Sequence, residues 1–313
     1  RGTVRDGGLI GIGGELDWEE SAEVVNRPPD AFIVIEKGAV LDASGTQVEL
    51  DIDRQGRTAV ASDAGTIVLR SANGLHLDGD LRAFAGGMGA QGGTLGIALG
   101  GALYSATGLD ADVRAPRVLS LTQHATQATP EPATPTFGQA SLAVDQINAG
   151  GFDHLSVFGD IRADASVTLS MGQSLRLHAL SSTGVGLGLS ALAPAGSLLT
   201  LSAPYVRLAQ AGYPGDDRNG VVSGQPAPVA RDAGHTLKVT GSLVDVRDTV
   251  NLQSFDHAEL SSTGDMRLQK AVVGIGANSR TVLIAPSVLD LTAAQLYGGG
   301  DITVGPGVNT SVW

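Results

Sequence analysis

Short runs that alternate apolar and polar residues follow one another in this chain with almost nothing between them. Val167-Thr168-Leu169 is followed by Leu175-Arg176-Leu177, with only a corner around Met171-Gly172-Gln173 to join them. Leu199-Thr200-Leu201, Val206-Arg207-Leu208 and Leu237-Lys238-Val239 repeat the pattern. Period-two alternation is the mark of a strand with one buried face. Neighbouring parallel strands of one sheet need a crossover of a dozen residues or more, usually a helix. No helix fits so short a gap. A parallel β-helix meets the constraint, because consecutive strands of a coil lie in different sheets and a turn suffices to join them.

Internal repeats point the same way. Gly-Asp-apolar recurs at Gly79-Asp80-Leu81-Arg82, Gly159-Asp160-Ile161-Arg162, Gly264-Asp265-Met266-Arg267 and Gly300-Asp301-Ile302-Thr303. Ala-Pro-x-Val recurs at Ala115-Pro116, Ala203-Pro204 and Ala285-Pro286, and Phe-Asp-His at Phe152 and Phe255. The Gly-Asp copies are 80, 105 and 36 residues apart. Similar corners at irregular spacing suit a solenoid with insertions better than a propeller of even blades. Gly, Asn and Asp supply positive φ or local hydrogen bonds at such corners. Pro ahead of a strand disturbs no ladder bond. At roughly 20–30 residues per coil, ten to twelve coils are expected. At the strand spacing of about 4.8 Å they make a shaft of about 50–60 Å.

The predicted organisation is one elongated all-β domain over residues 1–313, a right-handed parallel β-helix, with 1–30 an irregular lead-in. The Pro/Thr tract at 122–138 and the Gly/Pro-rich stretch at 209–235 read as projecting loops, since the same repeats resume after each. Asp17 to Asn26 is the one candidate helix, with Asp17 as N-cap, Glu20 three residues on and Pro28 as its stop. Ser141 to Ile147 fits strand or helix. The chain opens at Arg1 with no signal-peptide pattern and is read as an internal piece of a longer protein.

Composition narrows the partners. Glycine supplies 44 residues and aromatics only 4 %, which suits a thin repetitive core. A net charge of −12 with only three lysines argues against nucleic acid. No run of eighteen apolar residues predicts a helical membrane span. Absence of cysteine excludes disulfides and Cys-based zinc or thiol chemistry, and suits export through an oxidising periplasm.

Gly38-Ala39-Val40-Leu41-Asp42-Ala43-Ser44-Gly45, Ala64-Gly65-Thr66-Ile67-Val68-Leu69, Ser71-Ala72-Asn73-Gly74-Leu75-His76-Leu77-Asp78-Gly79-Asp80-Leu81-Arg82 and Gly92-Gly93-Thr94-Leu95 form a block that resembles the filamentous haemagglutinin family of two-partner secretion exoproteins. The Ala-Pro phrases and Gly151-Phe152-Asp153-His154-Leu155 extend the resemblance over about Ala31 to Val304. It implies a β-helical rod exported through an outer-membrane two-partner transporter. It also implies a place at the bacterial cell surface, in adhesion to a host or bacterial receptor or in presenting a toxin. The family's N-terminal secretion domain and a C-terminal toxin are not in this sequence.

Signs of chemistry are sparse, and the reading is of a non-enzyme with no cofactor, no catalytic set and no metal site. Gly87-Met88-Gly89-Ala90-Gln91-Gly92 matches GxGxxG, but a dinucleotide site needs a helix after it, and Gly93-Thr94-Leu95-Gly96-Ile97 reads as strand. His154 and His257 occupy what the repeats present as equivalent positions, and read as turn residues without partner ligands. Asp51/Asp53, Asp216/Asp217 and Asp245/Asp248 are the carboxylate pairs. They read as solvated acids, with a polysaccharide-degrading β-helix enzyme as the alternative they leave open.

Overall fold

A computed structural model describes residues 3–14, 30–52, 56–100, 117–125, 135–179, 187–210, 233–247, 249–269, 281–299 and 302–305. Among these the chain is an all-β parallel β-helix whose strands stack in three columns. The first column holds β1 (Leu9–Ile12), β6 (Thr66–Ser71), β9 (Gly93–Leu99), β12 (Phe152–Phe158), β15 (Ser174–Ala179) and β18 (Tyr205–Gln210). The C-terminal halves of β19 (Thr236–Arg247) and β21 (His257–Gln269) follow, and β24 (Gln295–Gly299) ends it. The second column pairs β3 (Val40–Asp42) with β8 (Asp80–Arg82). Higher up it stacks β14 (Val167–Ser170), β17 (Leu198–Ser202), the N-terminal halves of β19 and β21, and β23 (Val288–Thr292). The third runs β2 (Phe32–Ile35), β7 (Gly74–Leu77), β11 (Gln139–Ala143), β10 (Val118–Thr122), β13 (Asp160–Ala163) and β16 (Leu187–Leu189). A separate parallel sheet of β20 (Thr249–Asn251), β22 (Thr281–Ile284) and β25 (Ile302–Gly305) likewise takes each of its strands from after a first-column strand.

Each strand turns its alternate apolar residues inward, so like residues stack on like. Ile67, Leu95, Leu155, Leu175, Val206, Val244 and Met266 form one register column in a single continuous core, and Leu69, Ile97, Val157, Leu177, Leu208, Val246 and Leu268 form the next. Val167, Leu199, Leu237 and Ala258 face them from the second column. β19 and β21 pass through the corner between two columns as unbroken strands, with a register shift between Gly241 and Leu243 taking up the bend.

The described first column has nine rungs, about 40 Å at the strand spacing, shorter than the expected shaft. The coil itself is as short as predicted: His154 and Ser174 are register partners 20 residues apart. Excursions consume the rest. The antiparallel hairpin of β4 (Gln47–Ile52) and β5 (Gly56–Ala61) leaves the rod between Thr46 and Ser62, which close its neck by hydrogen bonds of 2.9 Å in both directions. In the third column β10 sits between β11 and β13, so the chain steps back one rung before continuing. At the ambiguous Ser141 to Ile147 both readings hold in turn: β11 ends at Ala143 and α1 (Val144–Ala149) begins. The candidate helix at 17–26 lies outside the described residues, as do most of 122–138 and 209–235.

The repeats mark corners rather than one register. Gly79-Asp80 enters the second column, Gly159-Asp160 the third, and Gly264-Asp265 the first. The irregular spacing follows from this. The equivalence expected of His154 and His257 fails for the same reason: His154 lies on β12 of the first column, His257 at the start of β21 in the second. What the two Phe-Asp-His copies do share is the aspartate. Asp153 accepts the Gly92 N–H at 2.7 Å and Asp256 the His235 N–H at 2.9 Å, each bracing the residue just ahead of the strand one rung away.

Candidate functional site

In the second column a helix stands where a strand would. α1 packs between β8 and β14. Val144 and Ile147 are buried one turn apart, and the chain leaves through Gly150 and a positive φ of +74° at Gly151. A helix offers no ladder to β8, and this one bonds instead to residues that flank the strand. The Gln146 carboxamide donates to the carbonyls of Leu77 at 3.0 Å and Gly79 at 2.6 Å, and the Ala83 N–H donates to the Gly150 carbonyl at 2.7 Å.

Swapping a strand for a shorter, thicker element leaves a cleft of about 840 Å³ beside it, within the usual range for ligand sites. Asp78, Asp80 and Arg82 line one wall, and Asp145 on α1 lines the other; Lys37 and Asp42 complete the charged lining. Arg82 donates to Asp80 at 2.6 Å, His76 Nε2 lies 3.2 Å from Asp78, and exposed His124 Nδ1 lies 3.6 Å from Asp145. Asp145 also accepts the N–H groups of Ala125 and Gln146. The hydroxyl and N–H of Ser44, the latter at 2.9 Å, hold Asp42 below the usual carboxylate range. Phe84 completes the lining with its ring 45 % exposed. The ring lies close to Gly151, where a Cβ would come within 2.4 Å of it.

A second constellation lies on the outer surface of the first column. Arg176, Arg207, Asp245, Arg267 and Tyr297 share one outward register. Asp245 is fully buried, which corrects the reading of it as a solvated acid. It accepts from Arg267 Nε at 2.5 Å, Arg267 Nη2 at 2.7 Å and the Tyr205 hydroxyl at 2.7 Å, and Arg247 Nη2 lies 3.6 Å away. Burial raises the Tyr205 pKa, and the Asp245 carboxylate raises that of Arg267. One register over, the His178 ring stacks on Phe158 at 4.3 Å between centroids. Burial, with the charges of Arg207, Arg176 and Arg247 behind it, pushes the His178 pKa down to about 3. Alternation shows that these residues point outward; it does not show that this outer surface is buried. The cluster laces β18, β19 and β21 together and its carboxylate is saturated, so its chemistry is structural.

The other candidates from the sequence are dispersed. Gly87 to Gly92 is a corner followed by β9, and the N–H groups of Gln91 and Gly92 are taken by the carboxylates of Asp63 and Asp153. His154 Nδ1 is 2.8 Å from the Ser174 hydroxyl, and His257 Nε2 is 2.8 Å from Asp290. Burial, then the nearby Arg176, lowers the His154 pKa. Asp51 lies on the hairpin opposite Arg57. Asp53, Asp216, Asp217 and Asp248 lie outside the described residues. Among the described residues no three His, Asp or Glu side chains are grouped to hold a metal ion, and no helix is long and apolar enough to cross a membrane. Compared with known proteins, the chain matches no family model, no curated protein and no solved structure.

Proposed function

We propose that this chain is a structural and adhesive shaft segment of a secreted filamentous surface adhesin of a Gram-negative bacterium, exported by an outer-membrane two-partner transporter. The observation that carries the reading is the continuous parallel stack, with one core running through the first column from β6 to the C-terminal half of β21. Such a stack makes contacts mainly between neighbouring rungs, so each coil templates the next. A chain of that kind can fold progressively as it emerges on the outside of a cell. A stiff rod holds its projections away from the surface that bears it, and rigid scaffolds carry binding on such projections.

The test is binding of the purified, labelled chain to host epithelial cells, sibling bacteria and an abiotic surface, beside a variant lacking 126–134 and 211–232. Saturable binding by the intact chain to a cell surface is expected, reduced in the variant if those segments carry it. Absence of binding to all three surfaces removes the adhesive part of the proposal and leaves a spacer. One observation favours the second reading, a polysaccharide-degrading enzyme: carboxylates stand on both walls of the cleft. Release of reducing ends from a polysaccharide panel, abolished in Asp145→Asn, would replace the shaft reading with that one.

A further inference from the structure

We infer that the cleft between β8 and α1 binds a short oligosaccharide carrying free amino groups, with Phe84 as the platform for one sugar ring. The inference rests on the adhesive reading only for its biological role. Three features of different kinds meet in the cleft. The first is space: about 840 Å³ is within the usual range for a pocket that holds a small organic ligand. The second is the ring. This chain has only six phenylalanines, and it spends one at the cleft, 45 % exposed. A Cβ at Gly151 would come within 2.4 Å of the ring, so glycine there lets the ring lie close against backbone. An aromatic face held that way suits the C–H face of a pyranose, an apolar surface with polar edges.

The third feature is charge. The lining carries four carboxylates against two cations. Arg82 is held by Asp80, and among the described residues Asp78 and Asp145, on opposite walls, have only histidines as side-chain ion partners. Carboxylates accept from both hydroxyls and ammonium groups, and charge-assisted bonds are the stronger. An excess of acid repels uronates and sulfated sugars, while an amino sugar gains at either wall. Peptide docking by strand addition is closed off, because α1 already packs against β8 on the side away from β3.

The experiment titrates the purified chain, by calorimetry at pH 6 and low salt, with the trimers of glucosamine, N-acetylglucosamine and galacturonic acid, and with spermidine. Saturable binding of the glucosamine trimer is expected, at least tenfold tighter than any of the other three. Phe84→Ala and, independently, Asp145→Asn are each expected to weaken it at least tenfold with an unchanged circular dichroism spectrum. No binding of the glucosamine trimer overturns the inference. Equal binding of the N-acetylated trimer overturns the amine assignment, and equal binding of spermidine overturns the sugar assignment. Binding indifferent to both variants places the site elsewhere. None of these outcomes bears on the cell-surface assay, which judges the shaft reading separately.

Discussion

At the scale of single residues, the corners decide what the chain tolerates. A Cβ at Gly65 would sit 2.0 Å from the Gly8 carbonyl oxygen and 2.5 Å from the Gly7 carbonyl carbon, all backbone of an adjacent rung. At Gly8 the same atom would meet nothing within 4 Å. Gly65→Ala is therefore expected to cost about 1–3 kcal/mol or more, the range for overpacking that backbone must relieve. Gly8→Ala is expected to be neutral or to stabilise by up to about 1 kcal/mol through the unfolded chain; urea titrations of the two variants make the comparison. His178 sets a second expectation. Its folded pKa of about 3 lies below the unfolded value of 6.5, so below pH 6.5 the unfolded chain takes up a proton that the folded chain refuses. The contribution is intact above pH 6.5 and is lost progressively as pH falls towards 3. Between pH 7 and pH 5 the wild type is expected to lose about 2 kcal/mol more than His178→Gln, from about 1.4 kcal/mol per pH unit per proton. Equal losses in urea midpoints at the two pH values would mean that the imidazole protonates in the folded state.

Elements show where the sequence was legible and where it was not. Strands such as β14 and β15, and the corner between them, follow directly from alternation and a short gap, because both signals are local. The Gly-Asp and Ala-Pro phrases identify corners for the same reason. Which column a corner feeds depends on how many residues earlier excursions consumed, and no local pattern carries that count. The cleft was invisible at this level. Its acids come from Asp42, the close pair Asp78 and Asp80, and Asp145, three places in the chain that stacking brings together. Of the carboxylate pairs that sequence proximity suggested, only Asp51 and Asp245 lie among the described residues, and neither lines the cleft. α1 was half legible: Val144 and Ile147 have helical spacing, but Ser141 and Leu142 read equally well as strand. What stabilises that substitution is Gln146, whose side-chain amide takes the place of two strand N–H groups. Gln146→Ala leaves the part-buried carbonyls of Leu77 and Gly79 without that donor, at an expected cost of about 0.5–1.5 kcal/mol, the net worth of a typical hydrogen bond. Gln146→Glu, which keeps the length but cannot donate when ionised, is expected to cost at least as much. Chemical denaturation that finds both variants at wild-type stability would show that water serves the β8 edge equally well.

For the whole molecule, the governing property is that order is transmitted from rung to rung. A globular core spreads a defect over many partners, whereas here β15 pairs only with β12 and β18 along the stack. Solenoid stability is accordingly a sum of rung terms and nearest-neighbour interfaces. Leu175 is fully buried at the middle of the first column. Leu175→Ala removes atoms from every contact that rung makes with its neighbours, and is expected to cost about 2–5 kcal/mol locally. In a one-dimensional stack that cost need not reach the ends. Amide hydrogen exchange in Leu175→Ala is expected to quicken in β12, β15 and β18, and to stay at wild-type rates in β6 and in the C-terminal half of β21, several rungs away. Uniform acceleration along the column would mean that the rod unfolds as one cooperative unit. Localised acceleration would mean that its coils form and fail separately, the property a chain needs if it is to fold coil by coil outside the cell that exports it.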